Sequence, residues 1–300
     1  MRTGTSIEIA DINFVVTCID AVLTQDIPEP YNPFHIKEYP YSGVFNINVS
    51  TDLRQIPRTE KLKKIFDSEQ AWSMFMDEDQ YYISLDPSAI SGNMNCHADF
   101  DKNITRATLY CSATQIQKSN GKTEVNNPFC YPLDQLLLMY ILSNKEGALF
   151  HAAGVNLNGK GYIFPGRSGA GKSTLSRQFA GVNNSLMMSD DRVIARKTGN
   201  SFRIFGTPWP GDEKIAENKS AQLKGIFFIS QGRENMAKDL KPVEALKRLM
   251  PVTSIPWFDR DVMPKILNFC EELVSNIPAY ELYFKPDTEV VKFLEEFDRS

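Results

Sequence analysis

The sequence predicts an α/β protein in two parts: a β-rich N-terminal domain over residues 1–128, then a mixed-sheet α/β domain over residues 129–300. Three observations predict it. Short β-branched and aromatic runs dominate the first part, the hydrophobic period changes after Asn126-Asn127-Pro128, and further on a glycine-rich turn separates an apolar strand from a helix-forming segment. A chain of 300 residues that is 42% apolar and 23% charged has the material for two packed cores.

In the first part, strands are expected at 14–17, 43–49, 80–85 and 105–114. The run Gly43-Val44-Phe45-Asn46-Ile47-Asn48-Val49 alternates as a half-buried antiparallel strand does. Pro28-Glu29-Pro30-Tyr31-Asn32-Pro33 and the Ser91-Gly92-Asn93 stretch read as loops. The polar segment Lys118-Ser119-Asn120-Gly121-Lys122 reads either as a hairpin tip or as the boundary between the two parts. Trp72, Tyr81 and Tyr82 read as core.

In the second part, 132–144 is apolar on every face, with Pro132 early and Gly147 just beyond, which predicts a buried helix. Strands at 148–157 and 161–164 flank Asn158-Gly159, the strongest short hairpin signal. After the glycine-rich turn come a helix at 172–180 and strands at 186–189, 192–196, 202–205 and 223–229. Helices at 243–249 and 262–276, a strand at 280–284 and an amphipathic helix at 288–297 complete the pattern.

A formal net charge of −4 gives no basic field to hold nucleic acid through its phosphates. The longest apolar run, Leu136-Leu137-Leu138-Met139-Tyr140-Ile141-Leu142, falls well short of the roughly 20 residues a membrane-spanning helix needs. Met1-Arg2-Thr3-Gly4-Thr5 opens no signal-peptide pattern, so a cytoplasmic protein is expected. Cys18, Cys96, Cys111, Cys130 and Cys270 are odd in number and form no C-x-x-C pair, which fits free thiols rather than a zinc site.

Gly166-Arg167-Ser168-Gly169-Ala170-Gly171-Lys172-Ser173 satisfies G-x-x-x-x-G-K-[ST], with the strand before it and the helix after it that the motif requires. Glycines let backbone N–H groups converge on phosphate oxygens, and the helix start adds its positive end. Lys172 is then placed to reach the β- and γ-phosphates of ATP and Ser173 to hold Mg²⁺, with Thr174 next in line. Beyond one helix, an apolar run delivers Asp190 and Asp191. One acid suits Mg²⁺ and its neighbour suits proton abstraction from an attacking hydroxyl; Ser173 and Asp190 are the candidate metal contacts, and the division of labour within the pair stays open. His151, on the strand before the one entering the loop, either faces the γ-phosphate or is a satisfied core residue. Thr207-Pro208-Trp209-Pro210-Gly211-Asp212-Glu213 is a stiff loop that either walls a pocket or is plugged into the fold by Trp209.

Taken together, His151-Ala152-Ala153-Gly154-Val155, then 161–173, then Asp190-Asp191-Arg192-Val193 resembles the catalytic core of HPr kinase/phosphorylase, an arrangement that phosphoenolpyruvate carboxykinases share. The likeness covers 151–193 and fades towards 229. It implies a P-loop kinase domain with a mixed sheet, in which His151 and Lys172 assist γ-phosphoryl transfer, Ser173 holds Mg²⁺, and Asp190 and Asp191 supply metal contact and base. Two departures stand out. Gln222 falls where that family places a second acidic metal ligand, and the family's late P-G-R-N element is missing, with Gly232-Arg233-Glu234-Asn235 as a partial stand-in. Phosphorylase activity is therefore not expected.

The expected function is an ATP- and Mg²⁺-dependent kinase acting on a hydroxyl acceptor, either a protein or peptide serine or a small metabolite. Its partners are the nucleoside triphosphate and that acceptor, with neither nucleic acid nor membrane; self-association into a homo-oligomer is left open. A nucleotide-binding sensor or adaptor without phosphotransfer is the alternative that the departure at Gln222 favours.

Overall fold

The computed structural model describes residues 3–18, 20–24, 28–36, 44–56, 58–69, 71–78, 80–85, 96–111, 115–119 and 121–297. The chain divides into two compact units, Met1–Leu137 and Leu138–Ser300. The protein is mixed α/β, with large sheets and few helices. No helix among the described residues is long and apolar enough to cross a membrane.

The first unit holds β1 (Thr3–Ile9), β2 (Ile12–Cys18), β3 (Val22–Leu23), β4 (Val44–Ser50), β5 (Lys63–Asp67), β6 (Trp72–Met76), β7 (Gln80–Leu85), β8 (Cys96–Asp101), β9 (Arg106–Cys111), β10 (Ile116–Ser119) and β11 (Lys122–Val125). Eight of these form one sheet in the order β1-β2-β4-β9-β8-β7-β6-β5, and β10-β11-β3 form a second. The alternation of β2 and β7 puts Phe14, Val16, Tyr81 and Ile83 into the core. Phe14 packs on Phe129 at 4.9 Å between ring centroids.

β4 corrects one expectation: it pairs parallel with both β2 and β9, not antiparallel. Period-two alternation reports one buried and one polar face and carries no information on the direction of the neighbours. Residues 29–34, expected as loop, form a short 3₁₀-helix that buries Tyr31 and Phe34. The 118–122 segment is a hairpin tip, with Ser119 opposite Lys122 and Gly121 at φ 73°. Gly43, the Ser91-Gly92-Asn93 stretch and residues 112–114 lie outside the described residues. All five cysteines are free, four of them buried.

Helix α1 (Leu133–Ser143) contains the border between the units, and every residue from 137 to 143 is buried. The second unit follows with β12 (Gly147–Leu157), β13 (Lys160–Pro165), α2 (Lys172–Gln178), β14 (Ser185–Ser189), β15 (Arg192–Thr198), β16 (Ser201–Phe205), β17 (Ser220–Gln231), β18 (Met236–Leu240), α3 (Pro242–Leu249), α4 (Met263–Asn276), β19 (Ala279–Phe284) and α5 (Glu289–Phe297). Asn158 and Gly159 take φ 54° and 82°, the doubly positive signature of a two-residue hairpin turn, and join β12 to β13.

The sheet runs β13-β12-β15-β16-β17-β19-β18, and a further parallel pairing of β13 with β17 closes β12, β13, β17, β16 and β15 into a ring. Gly154 and Gly161 make room inside it: a Cβ at either position would approach Val193 or Ile204 to 2.9 Å. Outside the ring, Phe164, Phe227, Leu282 and Phe284 form a core with Leu175 and Phe179 of α2 and with Val290, Val291 and Leu294 of α5. Each such side chain contributes roughly 1.5–3 kcal/mol by leaving water. That burial anchors α2, and so the first residue of α2, Lys172, against the sheet.

Candidate functional site

The site is organised by β12. On one edge of it, Ala152 pairs with Pro165, the last residue of β13, and the Gly166 amide donates to the His151 carbonyl at 3.1 Å. On its other edge β14 and β15 lie end to end: Gly154 faces Ser189, His151 faces Arg192, and the two residues between, Asp190 and Asp191, interrupt the pairing. The Ala152 amide donates to the Asp191 carbonyl at 3.0 Å. A single strand thus holds the glycine-rich loop on one side, the twin acids on the other, and His151 between them.

Gly169 and Gly171 take φ 81° and 99°, which side chains disfavour, and these two positive-φ turns curl the 166–173 loop. Gly166 is held by contact rather than by φ, since a Cβ there would lie 2.7 Å from that of Ala170. The first intrahelical bond of α2 runs from Leu175 to the Gly171 carbonyl, so the amides of Lys172, Ser173 and Thr174 precede the hydrogen-bonded ladder. The helix is shorter than the expected 172–180. Phe179 and Ala180 bond three residues back to Ser176 and Arg177, tightening the last turn before Gly181 at φ 74° ends it.

Lys172 is buried, with 6% of its surface exposed. Its Nζ donates to the carbonyls of Gly166 at 2.9 Å and Arg167 at 3.3 Å, and lies 3.0 Å from His151 Nε2. That same Nε2 is 2.7 Å from Asp191 Oδ1. Burial pulls the Lys172 ammonium below its ordinary pKa, while Asp191 pulls it back up. For Asp191, burial acts upward, but the His151 hydrogen bond and the charges of Arg192, His151 and Lys172 prevail and hold the carboxyl below its ordinary value. Ammonium, imidazole and carboxylate therefore share one contact in which a proton or a charge can be exchanged.

Asp190, its neighbour, has a different environment. It is 2% exposed, and its oxygens accept the amides of Gly211 at 2.9 Å, Glu213 at 2.8 Å and Ile215 at 3.3 Å. The twin acids of the sequence are thus unlike in the fold.

A cavity of about 400 Å³ is lined by His151, Ser168, Gly169, Gly171, Lys172, Ser173, Thr174, Asp190, Asp191, Gly211 and Asp212. Gly166, Arg167 and Ala170 belong to the loop but are not among the residues that line the cavity. Of the stiff 207–213 loop, Gly211 and Asp212 reach this cavity while Trp209 is buried at 5% exposure, so both of its expected roles are filled, by different residues. Gln222 lies in β17 opposite Lys160 and Arg203, and Arg233 lines a separate depression with Asn235, Lys285 and Lys292. Gln222 is not among the residues that line the cavity. Asp212 is the acid that sequence reasoning did not single out as a site residue; only its place on a Pro-Trp-Pro-Gly loop hinted at it.

Of the oxygen donors that line the cavity, the Ser173 hydroxyl and the Asp191 and Asp212 carboxylates suit a hard cation such as Mg²⁺, while both oxygens of Asp190, the expected metal contact, accept backbone amides. Among the described residues no group of three or more His, Cys, Asp or Glu is spaced to hold a metal ion unaided. A Mg²⁺ ion here would complete its shell with water and, where a phosphorylated substrate is bound, with phosphate oxygens. No protein-family model and no curated protein matches the chain.

Proposed function

We propose that the second unit is an ATP- and Mg²⁺-dependent kinase of HPr kinase type, moving the γ-phosphoryl group to a hydroxyl of a protein serine or a small metabolite. The observation that carries this reading is the meeting of Lys172, His151 and Asp191 in one cavity walled by the 166–173 loop. Lys172 supplies positive charge to the phosphates, and desolvation strengthens that attraction. Asp191, kept ionised by its neighbours, takes the proton of the acceptor hydroxyl as that oxygen bonds the γ-phosphorus, and the bond from this phosphorus to the β-bridging oxygen breaks to release ADP. His151 orients Asp191. Mg²⁺, held by Ser173 with Asp191 and Asp212, would offset phosphate charge that the acidic wall would otherwise repel. An adaptor that binds the nucleotide without turnover is the second reading, favoured by the position of Gln222 away from the cavity.

The test is transfer of ³²P from γ-labelled ATP to an acceptor in a cell extract, with Lys172→Ala and Asp191→Asn as controls. Labelled acceptor with wild type alone supports the kinase. Binding of MgATP with no labelled species and no released phosphate would leave the adaptor reading standing, and no binding at all would remove both.

A further inference from the structure

The Asp190 environment assigns a separate role within this site, one that rests on the kinase reading only for its catalytic consequence. We propose that Asp190 is a positioning residue: its buried carboxylate folds the 207–217 loop from inside, fixing Asp212 on the cavity wall and leaving Asp191 as the reacting acid of the pair.

The loop is closed at its neck by the backbone. The Gly206 amide donates to the Lys219 carbonyl at 3.0 Å, the Glu217 amide to the Met188 carbonyl at 3.0 Å, and Ser189 bridges Ala216. Thr207 Oγ1 adds a bond to the Arg192 carbonyl at 2.8 Å. A neck alone leaves the inward amides of the tip without acceptors, and those of Gly211, Glu213 and Ile215 all turn onto the one Asp190 carboxylate. Alternate residues can do this because Lys214, at φ 56°, reverses the chain in the middle. Gly211 has no room for a side chain, since a Cβ would stand 2.8 Å from Asp190 Oδ2 and 3.0 Å from Asp191 Cβ. From outside the loop has one ion pair to α2, Arg177 with Glu213 at 2.7 Å, and the arginine is 62% exposed. The inner carboxylate is the dominant constraint, because charge-assisted bonds in a buried setting outweigh a solvated pair.

Three amides and 2% exposure leave Asp190 with little to offer a substrate, while Asp191 keeps open contact with the cavity, His151 and Lys172. Asp190→Asn keeps the shape but replaces one acceptor oxygen with a donor that faces donors, so the loop should open while the rest of the unit stays closed. Gly211→Ala attacks the same contact from the loop side and keeps the carboxylate.

Hydrogen exchange of the full chain reads this directly. In Asp190→Asn and in Gly211→Ala, the amides of 211–217 are expected to exchange at least about tenfold faster, with β13 and β19 unchanged, whereas Asp191→Asn leaves them protected. If the protein also turns over ATP, Asp190→Asn is expected to slow phosphoryl transfer and, because it frees Asp212 from the wall proposed to hold Mg²⁺, to weaken MgATP binding as well. Unchanged 211–217 exchange in Gly211→Ala or Asp190→Asn, or equal loosening in Asp191→Asn, overturns the proposal. The exchange experiment needs no catalysis, so an inactive protein would sink the kinase reading and still decide this one.

Discussion

Each unit of this protein sets a carboxylate beside an aromatic or imidazole partner, fully buried in the first and half-buried in the second, and the two are finished differently. In the first unit Asp134, fully buried, accepts the Tyr31 hydroxyl at 2.6 Å and the Gln135 amide at 2.7 Å, and the same tyrosine oxygen accepts the Tyr131 amide at 2.8 Å. Burial and the Asp134 charge push the Tyr31 hydroxyl far above its ordinary pKa, so it keeps its proton. In the second unit Asp191 meets His151 and Lys172, and all three line a cavity. A buried polar group whose partners are fixed backbone amides and a locked hydroxyl holds a fold together. One that is partly open, whose partners are themselves titratable and which faces space for a ligand, is the one we propose for chemistry.

The largest effect should separate these two carboxylates. On the proposed reading, Lys172→Ala and Asp191→Asn each lower phosphoryl transfer by roughly 10² to 10⁴-fold, the usual worth of a positioned base or charge. Labelled-phosphate assays measure it, and circular dichroism checks that both variants fold. Tyr31→Phe is expected to do the opposite: it removes the hydroxyl that Asp134 accepts and costs about 1–3 kcal/mol of stability in denaturant melts, with transfer unchanged. Loss of transfer in Tyr31→Phe would break the contrast, since a residue locked into the first unit would then bear on the chemistry.

What the sequence could reveal follows the same contrast. The glycine-rich loop, the lysine at its end and the Asn158-Gly159 turn were legible because each depends on neighbours within a few residues, whereas the residues left His151 between the site and the core, since its partners Lys172 and Asp191 lie far along the chain. β5, with exposed Lys63 and Lys64, and β18, with Lys238 and Asp239, went unseen because sheet-edge strands carry charge in place of alternation. The ring closed by β13 and β17, and the unlike surroundings of Asp190 and Asp191, depend on residues twenty or more positions apart. Adjacent aspartates read alike until the three amides that saturate one of them are placed.

A pH series sharpens the comparison further. The folded value for Asp191 lies below the ordinary 3.8, so its ionised form adds stability that is fully present above that pH and is lost as pH falls through the folded value. The stability gap between wild type and Asp191→Asn, read by thermal melting, should therefore be widest above pH 3.8 and narrow in acid. A gap that stays constant between about pH 2 and 6 would mean that His151, Arg192 and Lys172 do not hold the carboxylate ionised.

The smallest effect belongs to Arg177→Ala. The Arg177 side chain is mostly in water and its partner Glu213 is itself held by the backbone contact to Asp190, so the ion pair spends side-chain freedom for little return. Melting temperature should not move beyond error, and exchange of the 211–217 amides should rise less than about twofold. A loosening as large as that in Asp190→Asn would show the loop to be tied to α2 from outside, and the inner carboxylate would then be free to do what its twin does.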